Sequence, residues 1–307
     1  MISLQRHDSV IALRMARSFL GRPIYWTAAY WVDGLLIDSG PPITARALVR
    51  EVRKLGLKQI VVTHAHEDHI GGLHQLSKAF PDVPIYAPLA SLPIIQDPRL
   101  LGQQLHRRLL WGRPKGVAHV QPLGTEVRTD RHLFHVVETP GHTRDHVSFF
   151  EPRHRWLFCG DAFIGGRDRA WTPESEMFST ISSLRTMAAL HPQRLFPGSG
   201  HVRRTALPEL HGKIGQYLAL CRDVAQLDRL GLPVDEMAER LLGGEPALHF
   251  WSLGHFSARN LIQACRRYNE LFQPTDETGD PSQKRTRPRR RPSRNDPSAP
   301  RSRRAGR

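Results

Sequence analysis

The chain has 307 residues, 39% of them hydrophobic, and 44 Lys and Arg against 29 Asp and Glu give a formal net charge of +15. That length allows one large domain or two smaller ones. Three widely spaced cysteines, Cys159, Cys221 and Cys265, exclude a disulfide framework and a CxxC zinc motif and read as small buried residues. No apolar run reaches the about 18 residues of a membrane span. Arg14 and Arg17 interrupt the only N-terminal apolar stretch, so no secretory signal is expected and a reducing, cytoplasmic setting is.

The charge is unevenly spread. Residues 273–307 hold 11 Lys and Arg against 4 Asp and Glu, many Pro and Ser, and almost nothing apolar. Such a segment cannot bury enough surface to fold and is expected to be a disordered basic tail. It accounts for +7 of the +15 and leaves +8 on residues 1–272. A basic balance favours anionic partners, and nucleic acid is a possible partner through the tail.

In chain order, "SVIALRMAR" alternates like a strand, and "YWTAAYWVDGLLIDSG" reads as a hairpin turning at Asp33-Gly34. "ITARALVREVRKLGL" has apolar residues at helical spacing and a stop at Gly56. "KQIVVT", Lys58 to Thr63, is a short β-branched run that predicts a buried strand, and "VPIYAP" predicts another. Residues 89–116 break the rhythm with a basic helical stretch that reads as an insertion or lid. Strands resume in "LFHVVETPGHT", "HVSFFEP" and "RWLFCGDAF", followed by a helix around "STISSLRTMAAL" and the strand-like "RLF". Helical segments are expected near 209–230, 234–242 and 256–272. Strands followed by helix, twice, suggest two sheets covered by helices.

Chemistry concentrates in "THAHEDHIGG", residues 63–72, where His64, His66, Glu67, Asp68 and His69 follow the "KQIVVT" strand directly. Loops at strand ends are where catalytic groups usually sit. Downstream, "TPGHT" places His142, "FCGDAF" places Asp161 and "PGSGH" places His201, each after a strand and beside Gly or Pro. Imidazole and carboxylate suit Zn²⁺, and Mn²⁺ or Fe²⁺ less specifically. In an extended loop His64, His66 and Asp68 share a side and Glu67 points away. One metal can then take His64, His66 and His142, and a second Asp68, His69 and His201, with Asp161 bridging. Asp38 is expected to hydrogen-bond the ligand loop. His146 is a candidate neighbour of the site. Arg167, Arg169 and Trp171 belong either to the pocket lining or to an exposed loop.

"THAHEDHIGG", "TPGHT", "CGDAF" and "PGSGH" in that order, with "LIDSGP" around Asp38, resemble the metallo-β-lactamase superfamily over roughly residues 8–205. The overall organisation resembles its glyoxalase-II-like and lactamase-β-2-like branch, and "LGHFSARNLIQACRRY" resembles the small helical tail domain of the latter. The resemblance implies an αββα sandwich over residues 1–205, a helical C-terminal region over 206–272 and the tail over 273–307. It implies two divalent metal ions, most simply Zn²⁺, on His64, His66, Asp68, His69, His142, Asp161 and His201. Many relatives end the last motif as Gly-His-Gly or Gly-His-Glu, where this chain reads "PGSGHVRR".

The implied chemistry is hydrolysis of a small ester, thioester or lactone by a metal-bridged hydroxide, with Asp68 as the catalytic proton carrier. The alternative is a lactamase-β-2-like endoribonuclease or other phosphodiesterase, which the basic tail and the basic 89–116 stretch favour. A mononuclear iron dioxygenase and a non-enzymatic metal-binding protein are further readings.

Overall fold

The computed structural model describes residues 1–272, and the expected basic tail, residues 273–307, lies outside the described residues. The chain opens with β1 (Ile2–His7) and β2 (Val10–Met15), then a small hairpin of β3 (Ser18–Phe19) and β4 (Arg22–Pro23). The expected hairpin follows as β5 (Thr27–Val32) and β6 (Leu35–Ile37). Its turn residues Asp33 and Gly34 have φ of 50° and 83°. Two consecutive positive φ angles suit a tight turn that matches strand twist, which is why the pair is Asp-Gly. Helix α1 (Ala45–Leu55) leads to β7 (Gln59–Val61), α2 (Glu67–Ile70), α3 (Leu73–Ala79) and β8 (Ile85–Ala87).

The basic insertion folds as α4 (Leu92–Gln96), a 3₁₀ turn at Pro98–Leu101 and α5 (Leu105–Trp111), then joins β9 (Gln121–Pro122). The second half contains β10 (Glu126–Arg128), β11 (Leu133–Glu138), β12 (Val147–Glu151), β13 (Trp156–Gly160), α6 (Met177–Ala189) and β14 (Arg194–Pro197). The C-terminal region is α7 (Ala206–Arg229), α8 (Val234–Leu242), α9 (Ala247–Trp251) and α10 (Ala258–Leu271). The sequence pattern did not single out β3, β4, β9, β10 or α9, which are too short to show a clear period.

Two main sheets form. The first has seven strands in the order β1-β2-β5-β6-β7-β8-β9, and the second has five, β10 to β14 in chain order. The first changes from antiparallel to parallel at β6–β7, and β14 joins β13 in parallel. Strand alternation then divides the apolar residues. Val10, Ala12, Tyr30, Leu35 and Ile37 of the first sheet meet Phe134, Phe149, Trp156, Phe158 and Phe196 of the second. Their in-between neighbours Ile11, Leu13, Met15 and Leu36 face Leu48 and Val52 of α1 and Leu73 and Leu76 of α3. On the far side Phe150, Leu157, Cys159 and Leu195 pack against α6, α7, α8 and α10. The layers are helix, sheet, sheet, helix, the expected αββα sandwich. All three cysteines are free and buried.

Helix α7 buries Leu210, Tyr217, Leu220, Cys221 and Val224, and Lys213 falls on the same stripe. The Lys213 ammonium is accommodated because it donates to Gly166 O at 2.6 Å and lies 3.3 Å from Asp168 Oδ1. Residues 206–271 therefore contribute to the same apolar cluster as β12, β13 and β14, and Met1–Leu271 forms one compact unit. No helix of the described residues is long and apolar enough to cross a membrane.

Truncating a fully buried leucine removes its transfer energy and leaves a cavity. Leu210→Ala should lower unfolding free energy by about 2–5 kcal/mol, with residues 206–271 and the sandwich unfolding in one urea transition. Two separate transitions, or no loss of stability, would contradict the shared core.

Candidate metal centre

The residues singled out in the sequence are carried by strand ends on one edge of the sandwich. Asp38 follows β6, His64 and His66 follow β7, His142 follows β11, and Asp161 follows β13 directly. The strand expected at 58–63 ends at Val61, Thr63 lies in a bend, and His66 is the N-cap of α2. Asp68 and His69 are thus placed by one helical turn, not by strand alternation, which corrects the parity expected for Asp68. The two glycines after the cluster are there for space: a Cβ on Gly71 would lie 2.1 Å from Pro42 Cδ, and one on Gly72 2.3 Å from Ser39 O.

Donor nitrogens converge. His64 Nε2 lies 3.1 Å from His66 Nδ1, and His142 Nε2 lies 3.0 Å from the same atom. His69 Nε2 lies 3.5 Å from Asp161 Oδ2 and 3.9 Å from Asp68 Oδ2, and His142 Nε2 is 3.6 Å from Asp161 Oδ2. The donor atoms of His64, His66 and His142 all fall within 4.8 Å of one another, as do those of His64, His69 and Asp161.

Hydrogen bonding around the cluster fixes which ring nitrogens are free. The buried Asp38 carboxylate accepts from Thr63 N–H at 2.8 Å, from the Thr63 hydroxyl at 2.9 Å and from His69 Nδ1–H at 2.8 Å. A hydroxyl that donates to Asp38 must accept from His64 Nδ1–H, 3.0 Å away, so the His64 lone pair sits on Nε2. His69 likewise keeps Nε2 free, and that buried atom has no hydrogen-bond partner. A buried polar atom without a partner is costly unless something is bound there. Backing carboxylates and hydroxyls of this kind orient metal-ligating imidazoles.

Electrostatics agree. Burial, reinforced by neighbouring imidazoles, drives His64 well below its ordinary pKa; burial and Arg107 do so for His66, and burial lowers His142. The three stay neutral, the state that binds metal. Burial opposes charge on His69, but Asp38, Asp161 and Asp68 outweigh it and hold its pKa well above the usual range. Burial likewise opposes ionisation of Asp161, but His69, His142 and His66 keep it far below the carboxylate range. The acids thus favour positive charge at the very point where His69 Nε2 is unpartnered. The residues present fit a bound cation.

His201 is not brought into the cluster. After β14 the chain makes a tight turn, with Gly200 N–H donating to Pro197 O at 2.9 Å, and Arg203 pairs back onto Leu195. That turn carries His201 back along β14 to an exposed position, where its Nε2 is 3.2 Å from Arg14 Nη2. Gly198 takes the position facing the site: a Cβ there would lie 2.2 Å from Asp161 Oδ1 and 2.9 Å from His69 Cε1. The placement expected for His201 is therefore corrected.

His146 is buried beside the cluster without joining it. Its Nε2 accepts from the Asp161 N–H at 3.1 Å, and its Nδ1 faces Thr139 Oγ1 at 2.9 Å. It holds Asp161 in place. Glu67 points away from the donors, as the sequence implied, but into a buried ion pair with Arg107 Nε of α5 at 2.6 Å. Asp145 accepts from Ala65 N–H at 3.0 Å and Ser91 Oγ–H at 2.5 Å. Sequence reasoning missed Arg107, Asp145 and Ser91; the only signal was the basic insertion itself.

A cleft beside the cluster is lined by His142 and Asp161, by the apolar and aromatic Ile164, Trp171, Tyr217 and Phe256, and by the polar Asp168, Thr172, Ser175 and Thr180. Trp171 lines it as one reading expected. Arg167 and Arg169 do not: they donate to the carbonyls of Leu241, Leu242 and Gly243 at the end of α8.

An αββα sandwich with a His/Asp cluster at one edge defines a class of metal-binding fold. The chain belongs to the Metallo-beta-lactamase superfamily, whose sequence profile matches residues 27–200. It is 33% identical over 141 residues to a hydroxyacylglutathione hydrolase of Legionella pneumophila, covering 45% of this chain and 47% of the relative. It is 27% identical over 194 residues to a beta-lactamase-like protein 2 homolog of Caenorhabditis elegans, covering 60% and 56%. The chain thus spans about half the length of the curated relatives it matches. A crystal structure of a metallo-beta-lactamase family protein from Thermus thermophilus superposes with a TM-score of 0.64 at 17% identity over 87% of this chain and 94% of the other, a likeness of fold.

Removing one partner of a buried ion pair strands the other. Arg107→Met should destabilise the protein by about 3–5 kcal/mol, and Glu67→Gln in the Arg107→Met background should restore most of it, both read by chemical denaturation. A silent Arg107→Met would contradict the pairing.

Proposed function

We propose that this protein is a metal-dependent hydrolase that uses two divalent cations, most simply Zn²⁺ with Mn²⁺ or Fe²⁺ as substitutes, on a small ester, thioester or lactone. The observation that carries the reading is the convergence of three neutral imidazoles with His69 and Asp161, and Asp68 3.9 Å from His69, beside a cleft that His142 and Asp161 line. His64, His66 and His142 would hold one cation, and Asp68 and His69 the other, with Asp161 shared. When bound, the cations supply Lewis acidity toward water and the substrate carbonyl.

The remaining work belongs to the chain. Asp68 holds and passes the proton that moves between water and leaving group. Trp171, Tyr217 and Phe256 seat the acyl part and shed water from the base of the cleft. Asp38 keeps His69 in register, and His146 keeps Asp161 in register. The relative named hydroxyacylglutathione hydrolase supports hydrolysis of a small acyl compound. The basic tail that favoured nucleic acid lies outside the described residues. Three free buried cysteines are compatible with a reducing cytoplasmic setting.

A panel of a thioester, a lactone, a nitrophenyl ester, a bis-nitrophenyl phosphodiester and RNA tests the reading. Turnover should appear on the carbonyl substrates and vanish on chelation. Chelation should also lower the melting temperature, because a cation bound only to the folded state stabilises it by mass action. Turnover confined to the phosphodiesters would overturn the proposal.

Asp68→Asn is nearly isosteric but cannot accept a proton. It should lower kcat/KM by about 10²–10⁴-fold while metal analysis still finds the cation held by His64, His66 and His142. His201→Ala should change kcat/KM by no more than about twofold. A collapse of turnover in His201→Ala would return that residue to the centre.

A further inference from the structure

Three neighbouring elements crowd large apolar side chains onto the surface near the cleft. The β3–β4 hairpin exposes Phe19 at 67% and Leu20 at 87%. Helix α5 exposes Leu105 and Leu109, one turn apart, at 62% and 65%. The end of α9 and the turn after it expose Trp251 at 79% and Leu253 at 85%. Exposed patches of this kind mark interaction surfaces.

The elements are contiguous through α5. Arg17, at the foot of the hairpin, donates through Nε to Leu110 O at 3.1 Å, and Tyr25 packs edge-on against Trp111 at 5.4 Å. On the other side of α5, His106 lies 5.8 Å from the His255 ring and 6.4 Å from the Phe256 ring. Phe256 is itself a wall of the cleft.

The charge around these side chains is one-sided. Residues 17–26 and 89–116 hold seven Lys and Arg and a single acid, Asp97, which pairs with Arg99. Arg107 is turned inward onto Glu67. Arg17, Arg22, Arg108, Arg113 and Lys115 are exposed, and none has a carboxylate partner among the described residues. Residues 247–256 carry no Lys, Arg, Asp or Glu at all. Protruding Leu, Phe and Trp flanked by unpaired Arg and Lys is the composition that seats a protein in the headgroup region of an anionic bilayer. A partner protein would have to supply both an apolar surface and an acidic rim; an anionic lipid surface supplies both everywhere.

We propose that the surface formed by the β3–β4 hairpin, α5 and the α9 turn docks reversibly on an anionic lipid bilayer, with the cleft beside the docked face. The apolar tips enter the interface while the five cations meet lipid phosphates and carboxylates. This goes beyond the hydrolase reading and does not depend on it, because it concerns binding alone.

Flotation of the full chain with vesicles tests it. Binding to phosphatidylglycerol–phosphatidylcholine vesicles should exceed binding to phosphatidylcholine alone by at least about tenfold and weaken at high salt. Residues 273–307 could bind anionic vesicles by charge alone, so the deciding variant leaves them intact. Phe19→Ser, Leu20→Ser and Trp251→Ser combined should lower the partition coefficient about fivefold or more, with melting temperature and oligomeric state unchanged. The proposal is overturned by equal binding to both vesicle types or by a triple variant that binds like the parent. It is equally overturned if gel filtration shows a dimer that the triple variant dissolves, since a second copy would then cover the patch.

Discussion

The site depends on one buried carboxylate. Asp38 sits at the end of β6 with a positive φ of 62° and gathers Thr63 and His69 onto its two oxygens. Through Thr63 it fixes the start of the ligand loop and the tautomer of His64. Through His69 it turns the first helical residues back toward the same point. Neither His64 nor His69 could present a bare Nε2 to a cation without that anchor, because a buried imidazole otherwise takes whichever partner lies nearest. Asp38 thus converts a strand-end loop into a donor array, and the paired sheets hold Asp161 opposite it.

The supports of the array come from distant parts of the chain. His146 accepts from the Asp161 backbone, Asp145 clamps Ala65 to Ser91, and Arg107 reaches Glu67 from α5. The insertion at 89–116 is therefore more than a lid laid over the cleft. It is tied by the Arg107–Glu67 ion pair to the start of α2 and, through Asp145, from Ser91 to Ala65 between His64 and His66, so displacement of the insertion would be felt at the ligands. The donor groups overlap at His64. His64, His66 and His142 converge on one side and His64, His69 and Asp161 on the other, with Asp68 Oδ2 3.9 Å from His69 Nε2 and Gly198 packed against Asp161 and His69.

Much of this was legible before any coordinates. The Asp33-Gly34 turn, the β-branched run before His64 and the apolar spacing of α1 and α7 are local signals, and local signals survive into the fold. The ordered motifs put His64, His66, His142 and Asp161 just after strands, and His69 on the helical turn that follows, and the fold gathers these side chains together. Asp68 lies near His69 for a reason other than strand alternation, since the backbone turns helical at Glu67. His201 was misplaced because its position depends on a four-residue turn and on pairing of Arg203 with Leu195, which no period encodes. Arg107 and Asp145 were invisible because their partners lie 40 and 80 residues away in sequence.

Anomalous diffraction at the zinc edge from crystals of the metal-loaded protein tests the centre most directly. The account predicts a peak within about 2.0–2.1 Å of nitrogens from His64, His66 and His142, a second and weaker peak beside His69, Asp68 and Asp161, and none at His201. A single peak coordinated by His201, or no peak among the three imidazoles, would contradict it.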